Sequence, residues 1–98
     1  MYAVVTRRTI NPARLDETRA RAASEFFPKL RQAPGFVSLT LIESEGTART
    51  VVILWESQSQ ADAFREEAES WGRALDELGH RVETRDAGEV LEHITPRP

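Results

Sequence analysis

The chain has 98 residues, of which 40% are hydrophobic and 30% charged, with 13 Lys+Arg against 16 Asp+Glu and a formal net charge of −3. That length holds one domain and leaves no room for a second. No apolar run approaches the ~18 residues that cross a bilayer, and there is no basic surplus to neutralise phosphates, so neither a membrane nor a nucleic acid is expected as partner. With no cysteine, the chain has no thiolate nucleophile, disulfide framework, zinc ribbon or iron–sulfur cluster. The segment Met1–Arg8 places its charges after a short apolar stretch, the reverse of a secretory signal, and a cytoplasmic protein is expected.

Residues 2–10 are rich in Val and Thr and read as a strand that stops at Asn11-Pro12. Asn as N-cap and Pro at the first helical position start a helix, because the Asn oxygen accepts an orphan N–H and Pro lacks one. The helical stripe runs through Leu15, Arg19, Ala22, Ala23, Phe26, Phe27 and Leu30, with a kink or restart at Pro28 and an end by Pro34-Gly35. Alternation over 36–43 and the apolar run 49–56 predict two strands joined by a turn at Glu45-Gly46-Thr47. Ser57 with Gln60 three residues on forms a capping box for a second helix carrying Ala61, Phe64, Ala68, Trp71 and Leu75, closed by Gly79. A last extended stretch is predicted over 81–94 with a bulge near Asp86-Ala87-Gly88, followed by a frayed tail at 95–98.

The order β-α-β-β-α-β predicts an α+β, ferredoxin-like domain over residues 1–98, a four-stranded antiparallel sheet with both helices on one face. Two helices cover only one side. The strands are apolar on both faces, so a homodimer that stacks the open sheet faces is expected.

The residues Pro34-Gly35-Phe36-Val37-Ser38, the strand end Val52-Ile53-Leu54-Trp55-Glu56-Ser57 and the helix that follows it resemble the antibiotic biosynthesis monooxygenase-like family of dimeric α/β barrels. The resemblance covers nearly the whole chain. It implies a cofactor-independent monooxygenase that acts on a small aromatic such as a quinol, anthrone or phenol, in a cavity between helices and sheet. The alternative is a non-catalytic homodimer, small-ligand-binding or stress-associated. Haem-degrading members of the family carry an Asn, a Trp and an iron-ligating His where this chain has Thr6, Ala63 and Arg73; arginine cannot ligate iron, so haem degradation is not expected. No cofactor or metal is expected, since no glycine-rich phosphate loop, no metal-ligand spacing and no nucleophile elbow occur.

Trp55 is the candidate wall of such a cavity, able to stack on a flat substrate and donate one hydrogen bond. Tyr2 and Thr6 share a strand face with Val4 and offer hydroxyls to a substrate oxygen. His80 follows the C-terminus of the second helix, where the dipole favours an imidazolium, and is a candidate for proton movement. Phe26, Phe64 and Trp71 are candidate substrate contacts or core, and Arg73 could meet an acidic substrate group or pair with Glu69 or Glu77 on its own helix. His93 is expected on the last strand, at a surface or interface.

Overall fold

In the computed structural model, which describes residues 1–97, β1 (Tyr2–Thr9), β2 (Phe36–Glu43), β3 (Ala48–Trp55) and β4 (Arg81–Glu89) form one antiparallel sheet. Its order is β2-β3-β1-β4. Between β1 and β2 lie α1 (Leu15–Arg21) and α2 (Phe27–Gln32); between β3 and β4 lie α3 (Gln58–Ala63) and α4 (Arg65–Glu77). This is the ferredoxin-like arrangement expected from the element order. Pro98, the end of the predicted tail, lies outside the described residues.

Register decides which side chains meet the helices. Tyr2 faces Trp55 and Glu89 across its two neighbours, and Val4 faces Ile53 and Ala87. Alternation therefore sets Tyr2, Val4, Ile53 and Trp55 on one face, where with Phe36 and Leu39 they pack against Phe26, Leu30 and Phe64. The core is largely aromatic. Phe26 stacks on Trp71 with centroids 5.3 Å apart and planes 9° from parallel. Phe64 tilts against both Phe26 at 6.0 Å and Trp55 at 5.3 Å. The opposite face carries Ala3, Val5, Val52 and Leu54 by the same alternation, with Ile42, 45% exposed, beyond them on β2. Among the described residues no element covers it.

The first helical run is less regular than its apolar stripe suggests. Asn11 caps it as expected, its Oδ1 accepting from the Ala13 N–H at 3.2 Å, but Pro12–Arg14 is a 3₁₀ turn and Ala22–Phe26 is a π-turn between α1 and α2. The predicted kink at Pro28 takes this form for a physical reason. Pro28 has no N–H, and its ring crowds the carbonyl four residues back, so the turn before it widens; the Phe27 N–H reaches back five residues to the Ala22 carbonyl. The widened turn buries Ala22 and Phe26.

The second helix, expected as one piece, breaks at Phe64 (φ −91°, ψ 1°), whose N–H bonds the Ala61 carbonyl at 3.1 Å. The break buries the Phe64 ring in the core. At its start the Gln60 N–H donates to Ser57 Oγ at 3.3 Å. The return bond of the expected box differs, because the Ser57 hydroxyl donates to Gln60 Oε1 at 2.9 Å. Gly35 must be glycine here: its φ is +81°, and a Cβ would overlap the Gln60 side chain.

β4 corrects the sequence reading in three respects. The strand ends at Glu89, so His93 lies beyond it in irregular chain, and Leu91 and Ile94 are 94% and 86% exposed. The bulge lies between the pairs Arg7–Thr84 and Arg8–Val82, with Glu83 as the extra residue, and not at Asp86–Gly88. Every residue of β4 is exposed, because the helices stop short of it. A second bulge, unforeseen, lies at Val37 between the pairs Phe36–Trp55 and Ser38–Leu54.

Candidate functional site

The gap left over β4 is a cavity of about 510 Å³ between sheet and helices, a size suited to one small organic molecule. Its floor is Tyr2, Val4, Ile53 and Trp55, one contiguous patch of β1 and β3 set by the register above. Phe64 and Ala68 form the wall, so the break at Phe64 that completes the core also shapes the cavity. Asp62, Arg65 and Glu69 stand at the helical rim, and Arg85, Asp86 and Ala87 on the β4 side. Asp62 and Arg65 neutralise each other at 2.8 Å.

Two residues of the floor, Tyr2 and Trp55, carry hydrogen-bond donors. Among the described residues, neither the Tyr2 hydroxyl nor the Trp55 indole N–H has a hydrogen-bond partner in the protein, and neither is fully enclosed: the one fully buried and unpaired side-chain nitrogen or oxygen is Arg8 Nε. The Tyr2 and Trp55 donors are therefore left to water or a ligand.

Of the residues singled out in the sequence, Tyr2, Trp55 and Phe64 line the cavity together. Thr6 lies on the same face of β1 one position past Val4, outside the lining. Phe26 and Trp71 are occupied with each other and, with Arg73, border a different cleft of about 290 Å³ between the first helical run and α4. Its walls are charged, with Arg21, Glu25, Lys29, Glu67 and Glu77.

His80 departs most from its expected form. It is 0% exposed, its Nδ1 accepts from the Asn11 N–H at 3.0 Å, and its Nε2 sits 2.6 Å from Thr18 Oγ1. With Nδ1 as acceptor, the proton resides on Nε2 and is donated to Thr18, whose hydroxyl donates to the Arg14 carbonyl at 2.7 Å. The ring is neutral, not the imidazolium expected at a helix end. Burial first, then the charges of Arg8 and Arg14, hold its pKa below the ordinary 6.5. The Asn11 Nδ2 also donates to the Leu78 carbonyl at 3.3 Å, so this network fastens the end of α4 to the start of the first helical run, away from the cavity.

Arg85, which lines the cavity, and Arg8, whose Nε is buried without a partner, were not singled out in the sequence. Arg8 shares the inward parity of Tyr2 and Val4, which was a legible signal. The side taken by Arg85 depends on the bulge at Glu83, which the sequence does not mark. Among the described residues no three His, Asp or Glu side chains are grouped to hold a metal ion, and no helix is long and apolar enough to cross a membrane.

The fold recurs in solved structures. The Streptomyces coelicolor monooxygenase ActVA-Orf6, in complex with nanaomycin D, is 24% identical with a TM-score of 0.70, over 99% of this chain and 91% of that one. SnoaB, a cofactor-independent oxygenase from Streptomyces nogalater solved as the mutant N63A, is 20% identical with a TM-score of 0.69, over 98% and 97%. A Deinococcus radiodurans protein, provisionally described as an antibiotic biosynthesis monooxygenase, is 14% identical with a TM-score of 0.80, over the whole of both chains. No curated protein matches the chain. The sequence profile of the antibiotic biosynthesis monooxygenases matches residues 1–77, from β1 to the end of α4. By that match, over most of its length, the chain belongs to the antibiotic biosynthesis monooxygenase family.

Proposed function

We propose that the protein is a cofactor-independent monooxygenase of a small electron-rich aromatic, a quinol, anthrone or phenol, working as a homodimer through the open sheet face. The observation that carries this reading is the cavity whose floor holds Tyr2 and Trp55, two residues with donors that have no partner in the protein among the described residues. A cavity filled by Phe26, Phe64 and Trp71 would instead have favoured a non-catalytic dimer. Those rings pack side by side and leave the space beside them open. The likeness to SnoaB supports chemistry without a cofactor.

In that chemistry the substrate supplies the electrons. Once deprotonated, an anthrone passes one electron to O₂, the substrate radical and superoxide combine to a peroxide anion that takes a proton back from water, and loss of water from the resulting hydroperoxide leaves the carbonyl. One oxygen atom enters the product and the other leaves as water. The protein's part is to hold the ring against Trp55 and Phe64, stabilise the anion with the Tyr2 hydroxyl, and keep the radical pair out of bulk water. Thr6 stands next along β1 for a larger substrate. His80 serves through the position of the α4 end, not by moving a proton.

Oxygen uptake with a panel of quinols and anthrones tests the proposal. Tyr2→Phe should lower turnover by about tenfold or more with the melting temperature of the wild type. Uptake no greater than the blank for every substrate would overturn the reading.

A further inference from the structure

The segment between β3 and α4 hangs from two aromatic anchors. Trp55, which ends β3, is 2% exposed, Phe64, just before α4, is 8% exposed, and their ring centroids lie 5.3 Å apart. Between these neighbouring points the chain leaves the core and returns, carrying α3 with it. No residue of α3 is buried. Its hold on the body is Ala61, packed against the aromatic cluster, and the Gln60 side chain, which accepts from the Ser57 hydroxyl at 2.9 Å and lies against Gly35. The backbone changes direction at both ends: Ser57 is extended (φ −149°, ψ 160°), and Phe64 (φ −91°, ψ 1°) interrupts the helix before α4. A short helix with few buried contacts and a break at each end opens and shuts at low cost while the core stays packed.

The same segment edges the cavity. Ala61 and Asp62 of α3 line it, with Arg65 and Glu69 one helical turn apart on α4. Across the opening stands Arg85, paired with Thr6 on the helix-facing side of the sheet and exposed like the rest of its strand. Two carboxylates on one lip and a guanidinium on the other are complementary. Here Asp62 bonds Arg65 on its own lip at 2.8 Å, and among the described residues no ion pair crosses the opening. Asp86, beside Arg85, turns its Oδ1 to the Ala87 N–H at 2.9 Å.

We propose that α3 is a lid. With a molecule in the cavity it swings about Ser57 and Phe64 toward β4, and Asp62 exchanges Arg65 for Arg85, with Glu69 alongside, so that the opening shuts against water. This rests on reading the cavity as the oxygenase site, where a radical pair is to be kept from solvent. The exchanged ion pairs are exposed and nearly equal in energy, so in the empty protein the open and shut forms differ little. The apolar surface that the bound molecule shares with Ala61 decides between them. Asp62 and Arg85 are positioning residues, acting on the lid without touching a reacting atom.

The test uses N-phenyl-1-naphthylamine, an uncharged dye that brightens out of water, released from the intact protein in a stopped-flow mixer. Arg85→Glu and Asp62→Arg should each speed release by about twofold to fivefold, the range for an exposed ion pair, and the double reversal should restore the wild-type rate. Hydrogen exchange reads the lid itself. The Ala61 and Phe64 amides, bonded to the Ser57 and Ala61 carbonyls at 3.2 and 3.1 Å, should exchange faster than those within α4 in the empty protein and slow when the dye binds. Melting curves check that each variant is folded. Release unchanged in both single variants, no restoration in the double, exchange in α3 as slow as in α4, or no binding up to the solubility of the dye would overturn the proposal. Normal oxygen uptake alongside any of these would remove the lid alone. A lid that behaves as expected, without uptake on any substrate, would remove the oxygenase reading and leave a closing cavity for an apolar molecule.

Discussion

Lowering the pH should loosen the molecule through His80. The folded chain buries this ring completely and uses its Nδ1 as an acceptor for the Asn11 N–H, so a proton there would set two donors against each other. The folded pKa is held below 6.5, by burial and then by Arg8 and Arg14, and the unfolded value is the ordinary one. Between the two, the unfolded state binds a proton that the folded state refuses, and the stability contribution is complete above about pH 6.5 and lost on acidification. The slope reaches at most about 1.4 kcal/mol per pH unit for one proton, and levels off where the folded ring itself protonates. At roughly 4–8 °C per kcal/mol for a domain of this size, thermal melts between pH 7.5 and 5.5 resolve it. His80→Gln should be less stable at pH 7.5 by about 1–3 kcal/mol, from the Asn11 N–H left imperfectly paired, and should lose most of the pH slope. A wild-type melting temperature constant over this range, or an equal slope in His80→Gln, would refute the reasoning.

Gly35→Ala should destabilise by more than about 1 kcal/mol, since the left-handed φ of +81° and the Gln60 side chain both exclude a methyl; urea unfolding measures it, and an unchanged midpoint would contradict the loop geometry. Leu54→Lys, on the uncovered sheet face, should convert a dimer to a monomer in sedimentation velocity at micromolar concentration, and a chain already monomeric there would sink the proposed assembly. Within the helix-facing layer, Phe26→Ala should cost about 3–5 kcal/mol, because the ring touches both Phe64 and Trp71; a loss below about 1 kcal/mol would mean that these aromatics are not the core.

The fold was legible where local chemistry is unambiguous. Asn11-Pro12, Ser57 and Gly79 mark the helix ends in the sequence as they do in the structure, and the stripe through Phe26 and Leu30 is the buried one. Strand faces were not legible, because Val51 to Leu54 is apolar throughout and period-two alternation carries no sign there. Pairing of β1 with β3 and β4 settles the faces, and it is non-local. The same limit explains the site. Trp55 was singled out as a strand-end aromatic and Tyr2 as a hydroxyl on the same face as Val4, and register brings them opposite each other in the cavity lining. Arg85 was not, since the bulge at Glu83 resets which residues of β4 turn inward. His80 was placed at the correct helix end but with the wrong charge, because burial by Asn11 and Thr18, 69 and 62 residues away along the chain, overrides the local dipole.

The two tryptophans divide what the molecule can report about itself. Trp55 forms the cavity floor with its indole N–H unpaired, while Trp71 lies flat on Phe26 outside that cavity. A Trp71→Phe chain would emit from Trp55 alone, giving an optical readout of occupancy that needs no label. The complementary Trp55→Phe chain would follow the seating of α4 on the widened turn at Ala22–Phe26. Binding and packing, which overlap in a domain this small, thereby become separable signals from one unmodified fold.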